Sequence, residues 1–557
     1  MEKIKNNLEL ILYLLIVIVL TGVLFWAASK KEGFHEDEMF SYGASNSTLG
    51  NTFLSYGRVD NIDTIIKRRN PILTLKNYIH YKIVDRNDYE EAVKALNRDD
   101  FASVWRTKED AVEYLQIDNI EEALDFGSVY WNTAKDVHPP LFYFAVHIVS
   151  ILFWGHFSKY IIFLVNLLFF LGTVWILRKI LLLIKKKNLT IPNLILYGAS
   201  IGAISTVMFQ RMYMMLTFFT IWFLYVNLKI YSNNFEVDKK LKRELILVTI
   251  LGFLTQYNFC FYAAFLAVVM IAIALYKKNK SFVGSYILQY VKAAVIGVLL
   301  FLPSIYHIFF SYRGVGGSER AFTFLEAIQA FGKNIFSAYS LSFQFGIILT
   351  LVLLVVLLWK FAKTDRKGIY IIFVVPTILT FLAICAMSPY KSLRYVMFLL
   401  PIVSLFFVIL LDELIDNKKF STCLLTIFAI YISIYGLINK PINYLYIGYQ
   451  EYLDIARDYQ NDRFVLVMPT VFSQIQDTLE FQIYKESLMI SPDRLEDLKD
   501  FPEFETEEEF ILGIKNWISV PVEEVLQEVL EYTGFSNYEL LHTSNKSARL
   551  DVYRIYR

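Results

Sequence analysis

Apolar runs long enough to cross a bilayer recur along this chain, separated by polar stretches of very unequal length. The first, Leu8–Ala28, is about 20 residues long and follows Lys3 and Lys5. A cleaved signal peptide is the alternative. The run exceeds a typical signal core and no A-x-A site follows it, so it reads as a retained span. A second series fills the region from Tyr160 to Leu437: Tyr160–Leu183, Ile191–Phe209, Met214–Ile230, Leu245–Thr255, Phe259–Tyr276, Val291–Phe310, Phe343–Phe361, Ile369–Ala386, Val396–Leu414 and Thr422–Leu437. The pattern predicts about 11 spans, of which Leu245–Thr255 is short for the purpose. One further run, Leu141–Trp154, has roughly 14 residues, short for a span and common for an interfacial helix.

Positive charge decides between the two readings of Leu141–Trp154. Cytoplasmic loops carry the Lys/Arg excess. With the Lys-bearing N-terminus inside, a crossing at Leu141–Trp154 puts Lys185–Lys187, Lys239–Arg243 and Lys277–Lys280 outside. An external helix lying in the interface puts all three inside, together with Lys363–Lys367 and Lys418–Lys419. The second arrangement is expected. It makes the N-terminus cytoplasmic and leaves six stretches outside: Lys30–Lys159, Gln210–Met212, Gln256–Asn258, Ser311–Ser337, Ser388–Arg394 and everything after Asn439.

Composition agrees. Hydrophobic residues make up 56% of the 557, more than a soluble chain of this length carries. The net charge of +1 gives no basic excess for nucleic acid. Cys260, Cys385 and Cys423 lie in apolar runs with no metal or disulfide spacing. After Lys440 no spanning run occurs, and acids outnumber bases about two to one. In this tail Phe464–Met468, Phe510–Ile514, Tyr538–His542 and Arg549–Ile555 read as strands, and Thr478–Tyr484 and Val522–Tyr532 have helical spacing. The expected division is therefore a membrane domain, 1–439, that includes the first external loop 30–159, and a small soluble α/β domain, 440–557. Helical stretches are also expected in the first loop near Asp88–Leu96 and Thr107–Leu115.

The residues with chemical potential gather on the predicted outer side. Glu36-Asp37-Glu38 places three carboxylates just beyond the first span. They are either a hydrophilic flank or a base that deprotonates a hydroxyl acceptor, its neighbours tuning it. In Asp136-Val137-His138-Pro139-Pro140-Leu141 the prolines suit the start of a helix and set His138 near the headgroups. Gln210-Arg211-Met212-Tyr213 puts an arginine on the side where the charge bias disfavours it; it pairs there with a lipid phosphate or a carboxylate, or simply snorkels. Lys391 and Arg394, in Ser388–Tyr395, are suited to a leaving phosphate or to headgroups. Arg313 and Arg320 flank a Gly-rich stretch at Gly314–Gly317 and are weaker candidates. Gln256, Tyr257 and Asn258 form a polar turn that is either a sugar contact or a plain turn.

These motifs, in this order, resemble the GT-C fold glycosyltransferases, in the branch holding protein O-mannosyltransferases, lipid A aminoarabinose transferases and their bacterial relatives. Asp37-Glu38 is similar to the acidic pair after the family's first span. Asp136–Leu141 resembles its D-x-H-P-P-L signature, and Gln210–Tyr213 the Arg-bearing turn after the third span; Arg394-Tyr395 is a looser match. The resemblance covers Met1–Leu437. It implies an all-α polytopic GT-C membrane protein and a polyprenyl-phosphate-linked sugar donor. It also implies inverting transfer to a hydroxyl acceptor (glycan, lipid or protein) and catalysis by Asp37. In this frame Glu38 supports Asp37, and His138 orients the acceptor or the phosphate. Arg211, Lys391 and Arg394 hold the donor phosphate; Asp136, Gln210, Tyr213, Gln256 and Tyr257 line the substrate. Two departures stand out: Glu36 adds a third acid, and the β-trefoil insert of eukaryotic protein mannosyltransferases is missing. A divalent ion on Asp37, Glu38 and His138 is an open option.

Two other functions fit a polytopic chain. A transporter or lipid flippase is expected to carry ionisable residues deep in its spans and paired broken helices; the sequence shows almost none of the first and no sign of the second. A non-catalytic envelope-assembly protein would work through its acidic tail.

Overall fold

The computed structural model describes residues 2–48, 105–135, 137–309, 322–363, 367–468 and 478–557. The expected helix at Asp88–Leu96 and the arginines Arg313 and Arg320 lie outside the described residues. The chain divides into two compact units. One is Met1–Ser29, Asp136–Phe142 and Ile162–Asn443; the other is Lys30–Lys135, Tyr143–Ile161 and Tyr444–Arg557. The first loop thus falls in one unit with the tail, where the apolar pattern alone groups it with the spans.

The first unit is a bundle of apolar helices, and the chain is a multi-pass membrane protein. Among the described residues seven helices are long and apolar enough to cross a membrane: Glu9–Ser29, Tyr160–Leu183, Tyr213–Ser232, Asn258–Tyr276, Lys280–Leu300, Lys367–Met387 and Lys418–Asn439. Two bent pairs raise the number to nine if each counts as one span. Lys187–Gly198 with Ile201–Met208 bends by 57°, and Phe324–Ala338 with Phe343–Trp359 by 92°. The remaining two expected spans are helices of 17 residues (Lys239–Thr255) and 14 residues (Leu400–Glu413). Tyr213–Ser232 is sheathed by protein along most of its length, whereas little of Lys280–Leu300 is covered by protein.

Three expectations are corrected here. The span expected at Val291–Phe310 begins instead at Lys280, where Asn279 caps it. It stops at Leu300 because Pro303 forces the residues before it out of helical geometry, and a short helix Pro303–Phe309 follows. Part of the expected loop Ser311–Ser337 is the amphipathic helix Phe324–Ala338. Its start is a capping box in which Thr323 and Glu326 satisfy each other's backbone amides. The expectation of no paired broken helices meets two bent pairs, each a broken span or a re-entrant loop. At the first break Ser200 accepts from the Ala203 amide, so the interruption is closed by its own hydroxyl.

One end of this bundle is an ion-pair cluster. Glu9 accepts from Arg178 and Lys187, each at 3.2 Å. Lys186 reaches Asp412 at 2.7 Å and Glu413 at 2.6 Å, and Lys418 lies 3.2 Å from the same Asp412. The basic loops at 185–187 and 418–419, which charge counting set on one side, do meet at one end.

Among the described residues the second unit is built on a six-stranded sheet: β1 (Arg106–Thr107), β2 (Arg463–Val467), β3 (Glu486–Ile490), β4 (Glu509–Lys515), β5 (Asn537–His542) and β6 (Leu550–Tyr556), in spatial order β1-β3-β2-β4-β6-β5. β2 is parallel to β3 and β4; β6 is antiparallel to β4 and β5. β1, from the first loop, adds antiparallel to β3, which ties that loop to the tail. Alternation puts Val465, Val467, Leu512 and Ile514 on one face, under helix Val522–Thr533 and its Val525, Leu526 and Val529. Phe464 stacks on Tyr484 on the other face, 4.5 Å between ring centres.

Gly513 faces that second side because nothing larger fits: a Cβ there would lie 2.8 Å from Phe464 and 2.9 Å from Leu550, both fully buried. Gly513→Val is therefore expected to destabilise the sheet by about 1–3 kcal/mol through overpacking. A lowered thermal midpoint of the full-length protein in detergent checks this.

Helix Leu141–Ile151 has 11 residues, so it rises only about 16 Å and is too short to cross. Its His147 is buried between the carbonyls of Ser45 (2.7 Å) and Ala123 (3.2 Å). The sequence expectation at Thr107–Leu115 corresponds to the helix Lys108–Val112, capped by Thr107.

Candidate functional site

The acidic motif forms the first turn of a helix, Glu36–Asn46, that starts at His35. His35 takes the capping position usually held by Ser, Thr, Asp or Asn. Its Nδ1 accepts from the Asp37 amide at 3.1 Å, while its own amide donates to Glu38 Oε2 at 2.7 Å. Three acids in a first turn also suit the positive end of the helix dipole.

That start assigns the three acids different surroundings. Glu36 is exposed. Glu38 is fully buried, and both its oxygens accept from Lys31 Nζ, at 3.0 and 2.9 Å. Asp37 keeps 28% of its side chain exposed, with Oδ2 3.5 Å from His35 Nδ1. Burial pushes the Lys31 ammonium down from the ordinary lysine range, and the Glu38 carboxylate pulls it part of the way back. Of the three, Asp37 alone combines partial exposure with a fixed helical position.

In the membrane unit His138 and Arg211 come together, with Arg211 Nη2 3.5 Å from His138 Nε2. His138 precedes helix Leu141–Ile151 and is half-buried, with Pro139 and Pro140 buried beside it. Arg211 is 4% exposed, in the tight turn between helices Ile201–Met208 and Tyr213–Ser232. The turn is pinned by Asn166, whose Nδ2 donates to the carbonyls of Val207 (3.1 Å) and Phe209 (3.0 Å), and the Arg211 amide donates to the Phe209 carbonyl at 2.7 Å. Gln210 is buried, and Tyr213 stacks on Phe209. A guanidinium presents a planar fork of donors suited to a phosphate or a carboxylate. Asn166→Leu is expected to strand both carbonyls at a cost of about 1–3 kcal/mol, read as a lower thermal midpoint of the full-length protein.

The other candidates in this unit form two further groups. Lys391 lies 3.6 Å from Glu326 and over the Phe322 ring, at the helix the sequence reading took for loop. Arg394 stacks on Tyr395 (5.2 Å) and Tyr390 (6.0 Å). Gln256 is buried, and the Tyr257 hydroxyl lies 3.0 Å from Nδ1 of the buried His307. Asp136 lies outside the described residues. Among the described residues no group of three or more His, Cys, Asp or Glu side chains is arranged to hold a metal ion.

Sequence reasoning missed Lys31, Asn166 and His307. Asn166 carried a signal, as a lone amide inside an apolar run. His307 sat in a run read as span. Lys31 looked like a flanking charge.

No family model and no curated protein matches the chain. Solved structures are similar to it, among them two of one protein. ArnT from Cupriavidus metallidurans bound to undecaprenyl phosphate shares 10% identity at a TM-score of 0.48, over 98% of this chain and 97% of that one. The same protein in the apo state shares 10% identity at a TM-score of 0.40, over 75% of this chain and 87% of that one.

Proposed function

We propose that this protein is a membrane glycosyltransferase that moves a sugar from a polyprenyl-phosphate-linked donor to a hydroxyl acceptor on the extracytoplasmic side. The observation that carries the reading is the start of the helix at His35, which commits Glu38 to Lys31 and leaves Asp37 partly exposed on a rigid first turn. In the reaction the acceptor hydroxyl attacks the sugar C1. The new O–C1 bond forms as the C1–O(phosphate) bond breaks, and the hydroxyl proton passes to Asp37. A single displacement inverts the anomeric centre. The leaving phosphate keeps the bonding electrons, and Arg211 neutralises the charge that develops, with Lys391 and Arg394 as further cations. His138, beside Arg211, fixes its orientation. Gln210, Tyr213, Gln256 and Tyr257 are assigned to the sugar and acceptor.

The two bent helix pairs favour a second reading, a lipid or glycan transporter, because broken helices mark transport sites. Against it, the break at Ala199-Ser200 and the segment Tyr339–Ser342 carry no Asp, Glu, Lys, Arg or His. A panel of radiolabelled polyprenyl-phosphate sugars, offered to membranes with and without the protein, separates the two. Label leaving its lipid only where the protein is present supports transfer. Label that changes leaflet on an intact lipid supports transport.

A further inference from the structure

We propose that the loop Tyr444–Tyr449 is the seat of the candidate base, and that Lys31 is the positioning residue that couples them. The proposal rests on Asp37 being that base. Lys31 lies two residues beyond the end of the first helix, and its ammonium has three donors. Two go to Glu38 and the third to the Tyr444 carbonyl at 2.6 Å. Lys31 also lies against the rings of Phe34 and Tyr446. The Lys31 carbonyl in turn accepts from Lys159 at 2.6 Å.

The neighbouring residues extend the same contact. The Glu32 amide donates to the Leu445 carbonyl at 2.8 Å. The Glu32 carboxylate accepts from the amides of Gly448 (2.6 Å) and Gln450 (3.3 Å). Gly33 passes so close to this loop that a Cβ would sit 3.1 Å from Tyr446 and from Tyr449. Three consecutive residues, Lys31 to Gly33, are thus registered against Tyr444–Gln450, and Asp37 stands on the turn that Glu38 anchors to Lys31.

A buried ion pair is a poor source of stability compared with apolar side chains of the same volume. What it supplies is a single register, because any slip strands a charge. The helix bearing Asp37 is therefore fixed by a segment more than 400 residues away in sequence, and the tail is part of the catalytic apparatus rather than an appended module.

The test uses three variants of the full-length protein, Lys31→Met, Lys31→Arg and Glu32→Ala, with two readouts. Hydrogen exchange over residues 33–46 reports the seat itself. Donor turnover reports its use: a displaced base lowers kcat, by about 10- to 100-fold, with KM for the donor within twofold. The expected result is at least tenfold faster exchange and a lower kcat in Lys31→Met and Glu32→Ala, with partial rescue in Lys31→Arg. Glu32→Ala leaves the buried pair intact and carries the test if Lys31→Met does not fold. Unchanged exchange overturns the proposal, and so does faster exchange with unchanged kcat. If wild type proves to have no Asp37-dependent turnover, the functional reading fails, while the exchange result still decides whether the seat holds the helix.

Discussion

Asp37→Asn is expected to fold, insert and bind donor like the wild type while losing about 10²- to 10⁴-fold in turnover, the range for removing a positioned general base. The substitution is nearly isosteric. The cap is closed by the Asp37 backbone amide, which donates to His35 Nδ1, while the side-chain oxygen lies 3.5 Å from that nitrogen; the substitution keeps the amide bond, so the helix start survives. The contrast with its neighbours is the sharper part of the prediction. Glu36→Gln, on an exposed side chain, is expected to change turnover less than threefold. Glu38→Gln keeps the shape of the side chain but leaves Lys31 without its counter-charge in a fully buried position, so its effect is on stability, by about 3–5 kcal/mol. Three adjacent acids should thus give three different phenotypes, measured together as kcat and thermal midpoint.

The second large effect is expected at Arg211. Arg211→Ala removes the cation assigned to the leaving phosphate, and turnover is expected to fall by about 10²- to 10³-fold, the scale for losing one preorganised charge-stabilising donor. Arg211→Lys keeps the charge but not the planar fork, so it should recover only part of that loss. The turn that carries Arg211 is pinned through Asn166 and Phe209, so the shorter lysine side chain cannot shift to bring its ammonium to the place of the guanidinium. Lys391 sits 37% exposed at its pair with Glu326, and Lys391→Ala is expected to cost less than tenfold. Release of label from a polyprenyl-phosphate sugar, with the variants at matched membrane levels, measures all three.

Much of the membrane unit was legible because lipid leaves the backbone few choices. Most expected spans coincide with a helix, Val291–Phe310 being displaced to Lys280–Leu300 and Ile191–Phe209 divided between two helices, and charge counting grouped basic loops that meet at one end. The bent pairs went unread: Gly198 and the capping Ser200 mark the first break, but both lie inside one continuous apolar run that reads as a single span, and the second break around Ser340 contains neither proline nor glycine. Helix Phe324–Ala338 was legible in principle from Thr323-x-x-Glu326, but its flanking Gly-rich stretch drew the reading toward loop. In the tail, strands with continuous apolar runs were found. β3 was missed because it opens on Glu486-Ser487, and β1 because two residues far from the tail carry no pattern of their own. At the site, the motif residues were identifiable as types in an order. Which of three acids stays partly exposed was not, since that depends on Lys31, whose other partner is Tyr444.

The most direct measurement follows two quantities in the same proteoliposomes: cleavage of a labelled polyprenyl-phosphate sugar and movement of that lipid between leaflets, for wild type and Asp37→Asn. Sugar transfer at Asp37 predicts cleavage by the wild type, none above background by Asp37→Asn, and equal lipid movement in both. Lipid movement driven by the wild type without cleavage of any donor would contradict it, and would make this chain a transporter.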